Sequence, residues 1–197
     1  KALEEKVKYT LPLLSISSKV FNKDIEAFYM TVGELIKEAP EIDNKVRRLL
    51  KLGWLACLEA LCNYRKAGNG LKIKKYVKPR PISIENAYKT LLEEYQNIYT
   101  DLLKKAWSSQ STIYNKSCLT MSNTVKDGSI EGIIFSPPYA NCFDYTEIYK
   151  LELWFGGFVK SYEELKALRK NSLHSHLNGN LDTTASIRTE LLNILLA

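Results

Sequence analysis

Ser136-Pro137-Pro138-Tyr139 is the stretch of this chain whose residue types and order could do chemistry. Neither proline has an N–H to donate, and each fixes its own φ, so the backbone here is stiff and presents acceptors rather than donors. Ser136 is pushed towards an extended conformation by the proline that follows it. The edge therefore offers carbonyl oxygens and one hydroxyl, with the ring of Tyr139 beside them. One task suits such an edge well. The exocyclic amino group of adenine or cytosine is a poor nucleophile because its lone pair is delocalised into the ring. Acceptors around its two N–H bonds draw the nitrogen towards tetrahedral geometry and localise that pair for attack on a methyl sulfonium. The preorganised polar groups stabilise the charge that develops. An aromatic ring next to them is placed to stack on a base swung out of the duplex.

A loop of this kind needs rigid elements to hold it. Gly132-Ile133-Ile134-Phe135 directly before it, and Thr112-Ile113-Tyr114 upstream, are short, apolar and β-branched, and polar or turn residues follow each. That pattern predicts buried parallel strands. Two prolines cannot continue a central strand, so the chain leaves the sheet at Ser136. Downstream, Asp144-x-x-Glu147 and Ser161-x-x-Glu164 resemble helix capping boxes; the first leads into Ile148, Leu151, Leu153, Trp154 and Phe155, the second into Leu165 and Leu168. Thr183 to Ala197 is again helical by pattern. This succession predicts an α/β sheet with ligands at the carboxyl ends of its strands.

The first half reads as helices whose apolar stripes are core faces. Ile25, Phe28, Tyr29, Val32, Leu35 and Ile36 recur at three- and four-residue spacing, closed by Pro40. Val46, Leu49, Leu50, Trp54, Cys57, Leu58 and Leu61 form a second, longer stripe, and a third runs from the cap candidate Ser83 through Tyr88, Leu91, Leu92, Tyr95, Tyr99, Leu102 and Leu103. Between the second and third lies a loop, Arg65 to Pro81, with seven cations (Arg65, Lys66, Lys72, Lys74, Lys75, Lys78, Arg80) and no acid. Gly68, Asn69 and Gly70 mark a turn in it, and Pro79 and Pro81 keep it from becoming helix. Such a run is either a solvated face or a phosphate-contacting loop.

Phe135-Ser136-Pro137-Pro138-Tyr139 resembles the Asp/Asn/Ser-Pro-Pro-Tyr/Phe motif of the adenine-N6 and cytosine-N4 DNA methyltransferases. The continuation from Ala140 to Trp154 is similar to the subset of that family reading Ser-Pro-Pro-Tyr-x-Asn-x-x-Asp-Tyr-Thr, and Asn63-Tyr64-Arg65-Lys66-x-Gly68-Asn69-Gly70-Leu71-Lys72 is similar to the same subset. The resemblance is specific over residues 111–170 and looser over 60–110. It implies a partial Rossmann-like fold of the α/β class behind a helical N-terminal half, S-adenosylmethionine as donor and double-stranded DNA as substrate. Ser136, Pro137, Pro138 and Tyr139 would form the catalytic loop. Ser at the first motif position resembles the cytosine-N4 enzymes more than the adenine-N6 enzymes, which usually carry Asp or Asn. Asn141, Asp144 and Tyr145 match the subset and are the candidate DNA contacts; the alternative role for Asp144 is a helix cap.

Two departures from the family pattern bear on the donor. Tyr114-Asn115-Lys116-Ser117-Cys118 stands where related enzymes often have an acidic residue against the donor's adenine, so Ser117, with Phe135, is the candidate donor contact. The family's donor strand ends in a glycine-rich turn, usually Phe-x-Gly-x-Gly, and none occurs here. Phe155-Gly156-Gly157-Phe158 sits inside a helical pattern and does not qualify. The expectation is a piece of a longer enzyme, with residues 1–108 a helical region carrying the basic loop 65–81, and 109–197 part of the catalytic domain. Its candidate partners are the missing N-terminal part and a cognate restriction enzyme.

Composition narrows the alternatives. At 197 residues, with 45% apolar and 25% charged residues, the chain is an ordinary globular sequence able to bury one core. No apolar run is long enough to span a membrane; the best, Gly53 to Cys62, is broken by Glu59. No signal peptide is visible. Cys57, Cys62, Cys118 and Cys142 lack metal-ligand spacing, and His174 and His176 have no third ligand nearby, so no metal site and a reduced, cytoplasmic protein are expected. The net charge of +6 favours a polyanionic partner. Two other readings stay open: an inactive DNA- or protein-binding remnant, and an enzyme acting on RNA or a protein amide.

Overall fold

The computed structural model of the chain describes residues 8–68, 70–74, 82–104, 111–116, 118–136 and 144–170. A first short helix, α1 (Ser17–Val20), leads into α2 (Lys23–Glu38), α3 (Asn44–Ala56) and α4 (Leu58–Leu61). A hairpin follows, β1 (Tyr64–Ala67) and β2 (Gly70–Ile73), and then the long α5 (Ile84–Leu103). Beyond a 3-10 turn at Cys118–Asn123 come α6 (Tyr145–Ile148), α7 (Lys150–Phe155) and α8 (Tyr162–Lys170).

The first stripe forms one helix as expected, with Leu35 exposed; the second breaks at Cys57 into α3 and α4, with Val46 exposed at its start. In α2, Ile25, Phe28, Tyr29 and Ile36 are buried. Its last carbonyls are collected by the Arg47 guanidinium, which donates to the oxygens of Lys37 (2.6 Å), Ala39 (2.6 Å) and Ile36. That is the cationic end a helix C-terminus favours. Asp43 starts α3, accepting from the Lys45 N–H at 2.7 Å. The pair Tyr29 and Trp54 locks α2 to α3: the rings stack at 4.5 Å, the tyrosine hydroxyl donates to the Trp54 carbonyl (3.0 Å) and the indole N–H donates to the Tyr29 carbonyl (2.9 Å). Phe21 and Phe155 pack against Tyr29 in the same cluster. Leu151, Trp154, Val159 and Leu165 join this core, so the helical first half and the 144–170 segment share it.

The third stripe differs from expectation. Ser83 caps α5 through the Asn86 N–H (3.1 Å), yet only Ala87 and Leu91 are buried, while Tyr88, Leu92, Tyr99, Leu102 and Leu103 are exposed. Its contact with α3 follows one narrow line, from Thr90 beside Cys57 to Tyr95 beside Gly53 and Leu50, and the described residues leave the rest of the stripe uncovered. The contact is close where it exists, for a Cβ on Gly53 would stand 2.5 Å from Tyr95.

The expected strands are also corrected. Residues 111–115 and 132–136 are irregular, with Ile113 at 91% and Phe135 at 75% exposure and Ile134 fully exposed. A parallel strand exists only through its neighbours, and among the described residues the one sheet is the local β1–β2 hairpin. The stripe after Asp144 breaks at Tyr149 into α6 and α7. Phe155-Gly156-Gly157-Phe158 is a helix stop rather than helix interior. Gly157 takes φ +69 and the Phe158 N–H returns to the Leu153 carbonyl at 2.9 Å, a left-handed cap that glycine adopts without strain. Thr183 to Ala197 and both histidines lie outside the described residues.

Candidate functional site

Ser136 is exposed and irregular, as is Phe135 before it. Pro137, Pro138, Tyr139, Asn141 and Ser117 lie outside the described residues. The chain is next described at Asp144, which is 4% exposed and caps α6. Its Oδ1 accepts from the Thr146 N–H (2.9 Å) and the Thr146 hydroxyl (2.5 Å), and its Oδ2 pairs with Arg169 Nε at 2.8 Å. The same guanidinium bonds Thr146 Oγ1 (3.1 Å) and Glu147 Oε1. Glu147 therefore does not close a capping box. It pairs with Arg169 and with Lys150 at 2.8 Å. Ser161-x-x-Glu164 behaves closer to expectation: Ser161 Oγ accepts from the Glu164 N–H (3.2 Å), and the Glu164 carboxylate accepts from the Lys160 N–H (2.7 Å). Tyr145, one residue beyond Asp144, is half-exposed and lies nearly parallel to Tyr149, with ring centroids 6.5 Å apart.

The basic stretch is not a loop where it is described. It opens as an antiparallel hairpin in which Tyr64 faces Ile73, Arg65 faces Lys72 and Ala67 faces Gly70, with Gly68 at φ +59 in the turn. Gly68-x-Gly70 thus does follow a strand. It returns into a second strand rather than opening a helix, so it does not form a donor-binding turn. Strand alternation sorts the cations into two groups. Arg65 and Lys72 are exposed and sit directly opposite one another. Two like charges in that register repel unless an anion lies across them. Lys66 is half-buried, paired with Glu152 at 2.5 Å and Glu59 at 3.8 Å, and stands 4.2 Å from the centre of the Tyr149 ring. Lys74 caps α4, donating to the carbonyls of Glu59 (2.6 Å) and Cys62 (2.9 Å). Lys75, Lys78 and Arg80 lie outside the described residues.

Phe135 points into solvent and lines neither of the two larger cavities. The larger, about 600 Å³, lies between Trp54, Trp154, Met30 and Leu11, away from Ser136 in composition and in chain. Burial pushes the Cys57 thiol up to about 12 and raises that of Cys62, which makes both packing residues rather than nucleophiles. Among the described residues no group of histidine, cysteine and carboxylate side chains is arranged to hold a metal, and no helix is long and apolar enough to cross a membrane. Arg169, Glu152 and Glu59 organise this region, and none of them stands out in the sequence as a site residue. Their only local signal was charge, since each acts across at least seven residues of chain.

Two curated proteins are similar to this chain. They are the Type II methyltransferase M.AvaI of Nostoc sp. (strain PCC 7120 / SAG 25.82 / UTEX 2576) and the protein of the same name from Anabaena variabilis. Each is 27% identical over 124 residues, covering 55% of this chain and 26% of the relative. The chain thus spans about a quarter of their length. No family model and no solved structure matches. The similarity supports a methyltransferase reading.

Proposed function

We propose that this chain carries the target-base part of a site-specific DNA methyltransferase, which moves a methyl group from S-adenosylmethionine to an exocyclic amino group, cytosine N4 in the first instance. The observation that carries the reading is the similarity to the two Type II methyltransferases, in a chain that also holds Ser136-Pro137-Pro138-Tyr139 ahead of Asp144-Tyr145-Thr146. In this reading the Ser136 hydroxyl and the carbonyls of the loop accept the two amino hydrogens, and Tyr139 stacks on the extruded base. The donor supplies the methyl group. Asn141 and Tyr145 lie along the DNA, whereas Asp144 acts from inside the fold as a cap.

The apolar segments around Ile113 and Ile133 to Phe135 support a further part of the proposal. β-branched residues exposed to this degree need cover. In the assembled enzyme they would join a Rossmann-like sheet supplied with the rest of the catalytic domain. Duplex DNA would be held by Arg65 and Lys72 of the hairpin. The protein would work in the cytoplasm, beside a cognate restriction enzyme where one exists.

The test is transfer of label from tritiated S-adenosylmethionine to duplex DNA by the full-length protein, its Tyr139→Ala variant and the 197-residue chain. The full-length protein should transfer, the variant should lose most of the rate, and the chain alone should not transfer. Full activity in Tyr139→Ala would remove the stacking role. DNA binding without transfer by the full-length protein would favour the inactive DNA-binding reading.

A further inference from the structure

We propose that the cavity between α2, α3 and the turn after α7 is a binding site for a small amphipathic anion, a flat apolar body that ends in a carboxylate or a phosphate. The cavity holds about 600 Å³, a size typical of small-molecule sites. Its apolar wall is drawn from the core, since Trp54, Trp154, Phe155 and Met30 all line it and all are buried. That wall is preformed. Trp54 is stacked on Tyr29 and bonded to its carbonyl, and the Lys51 ammonium ties α3 to the turn through the Gly156 carbonyl at 2.6 Å. A ligand entering there has little of the lining left to order. The polar lining is one-sided. Four cations, Lys37, Arg47, Lys51 and Lys160, stand against one carboxylate, Glu34, which pairs with Lys37 at 3.1 Å. Arg47 and Lys51 donate to backbone carbonyls, and such bonds leave a full charge uncompensated. Among the described residues no carboxylate pairs with Arg47, Lys51 or Lys160. The buried indole N–H of Trp154 also has no acceptor among them, and a buried donor left over in this way is rare. Three uncompensated cations around an aromatic wall complement a ligand that is apolar at one end and anionic at the other. S-adenosylmethionine, with a sulfonium and an ammonium against one carboxylate, has the opposite net charge. The cavity shares no residue with the Ser136–Tyr139 loop or the hairpin.

The full-length protein is titrated with two fluorescent probes: anilinonaphthalene sulfonate, a flat apolar anion, and phenylnaphthylamine, the same body without the sulfonate. Emission is excited through tryptophan, because Trp54 and Trp154 form part of the wall. The sulfonate should fill one saturable site, bind about fivefold or more tighter than the neutral probe, and weaken as salt is added. Lys51→Met/Lys160→Met keeps apolar stems and removes two charges. It should weaken the sulfonate about fivefold and leave the neutral probe within about twofold. Lys51 also braces the Gly156 carbonyl, so a second variant guards against a change of fold: Leu13→Glu sets a negative charge on the lining at a position 79% exposed, and it should weaken the sulfonate with no change in melting temperature. Competition then assigns the head group. Displacement of the sulfonate by indole acetate marks a carboxylate site, and displacement by adenosine monophosphate a phosphate site. Sulfonate affinity within about twofold of wild type in both variants would place the probe elsewhere and overturn the inference. Equal affinity for the two probes would reduce the cavity to a plain apolar groove and overturn it as well. Displacement by neither competitor would overturn the ligand class.

Discussion

The hairpin cations give the sharpest functional contrast, because the structure divides residues that look alike in sequence. Arg65→Ala/Lys72→Ala removes the two exposed cations that face each other across the ladder and leaves every internal contact of Lys66 and Lys74 in place. If each contacts one phosphate, the slope of log affinity against log salt should flatten by about 1.8. Between 50 and 200 mM salt that removes roughly a tenfold dependence, while stability stays within about 0.5 kcal/mol, as for other surface changes. The reverse pair, Lys66→Met/Lys74→Ala, should do the opposite. It takes the Lys66 ion pair from Glu152 and strips the Glu59 and Cys62 carbonyls of their donor, at a cost of about 1–2 kcal/mol for each site. Its salt slope should be unchanged. Fluorescence anisotropy with labelled duplex across a salt series, alongside urea unfolding, separates the two. An unaltered slope in Arg65→Ala/Lys72→Ala would return the hairpin's outer face to plain solvent, and a flattened slope in the other pair would mean that Lys66 and Lys74 leave their internal partners on binding.

Two predictions concern the core. Gly53→Ala should destabilise by about 1–2 kcal/mol despite alanine's better helix propensity, because the new Cβ would lie 2.5 Å from the Tyr95 ring; a melting temperature equal to wild type would show that α5 yields freely. Cys57 should resist thiol reagents in the native state. Its folded pKa of about 12 lies above the unfolded value, so the stability it contributes is fully present below about pH 9 and is lost as pH rises from there towards 12. Unfolding curves at pH 8 and 10.5 should show that decline in wild type and less of it in Cys57→Ala, and equal declines would place the effect on other groups.

What the sequence made legible follows from range. The stripe of α2 could be read because a 3.6-residue apolar period with a following proline is local information; Ile25, Phe28, Tyr29 and Ile36 did go inside, while Val32 is half-buried and Leu35 exposed. The stripe of α5 could be read as a helix but not as buried, since burial depends on which of its residues α3 comes to lie against. The hairpin was hidden by charge: Tyr64-x-Lys66 and Leu71-x-Ile73 alternate around a glycine turn, but the lysines between them looked like a solvated run. Counting cations without acids in that window missed Glu152, which neutralises Lys66 from 86 residues away. Asp144 was readable as a cap, and its partner Arg169 was not, for the same reason. Residues 132–135 have the composition of a strand, but no composition supplies the neighbours that a strand needs.

The central claim is that the Ser136–Tyr139 loop serves an exocyclic amino group. It is tested most directly by finding where the methyl goes. Duplex DNA methylated by the full-length protein with labelled S-adenosylmethionine is digested to nucleosides and separated. Label in N4-methylcytosine, or in N6-methyladenine with the base preference reversed, is the outcome the account predicts, and it should vanish in a Pro137→Ala/Pro138→Ala variant that still binds DNA. Label at carbon 5 of cytosine, or in RNA or protein but not in DNA, would contradict it.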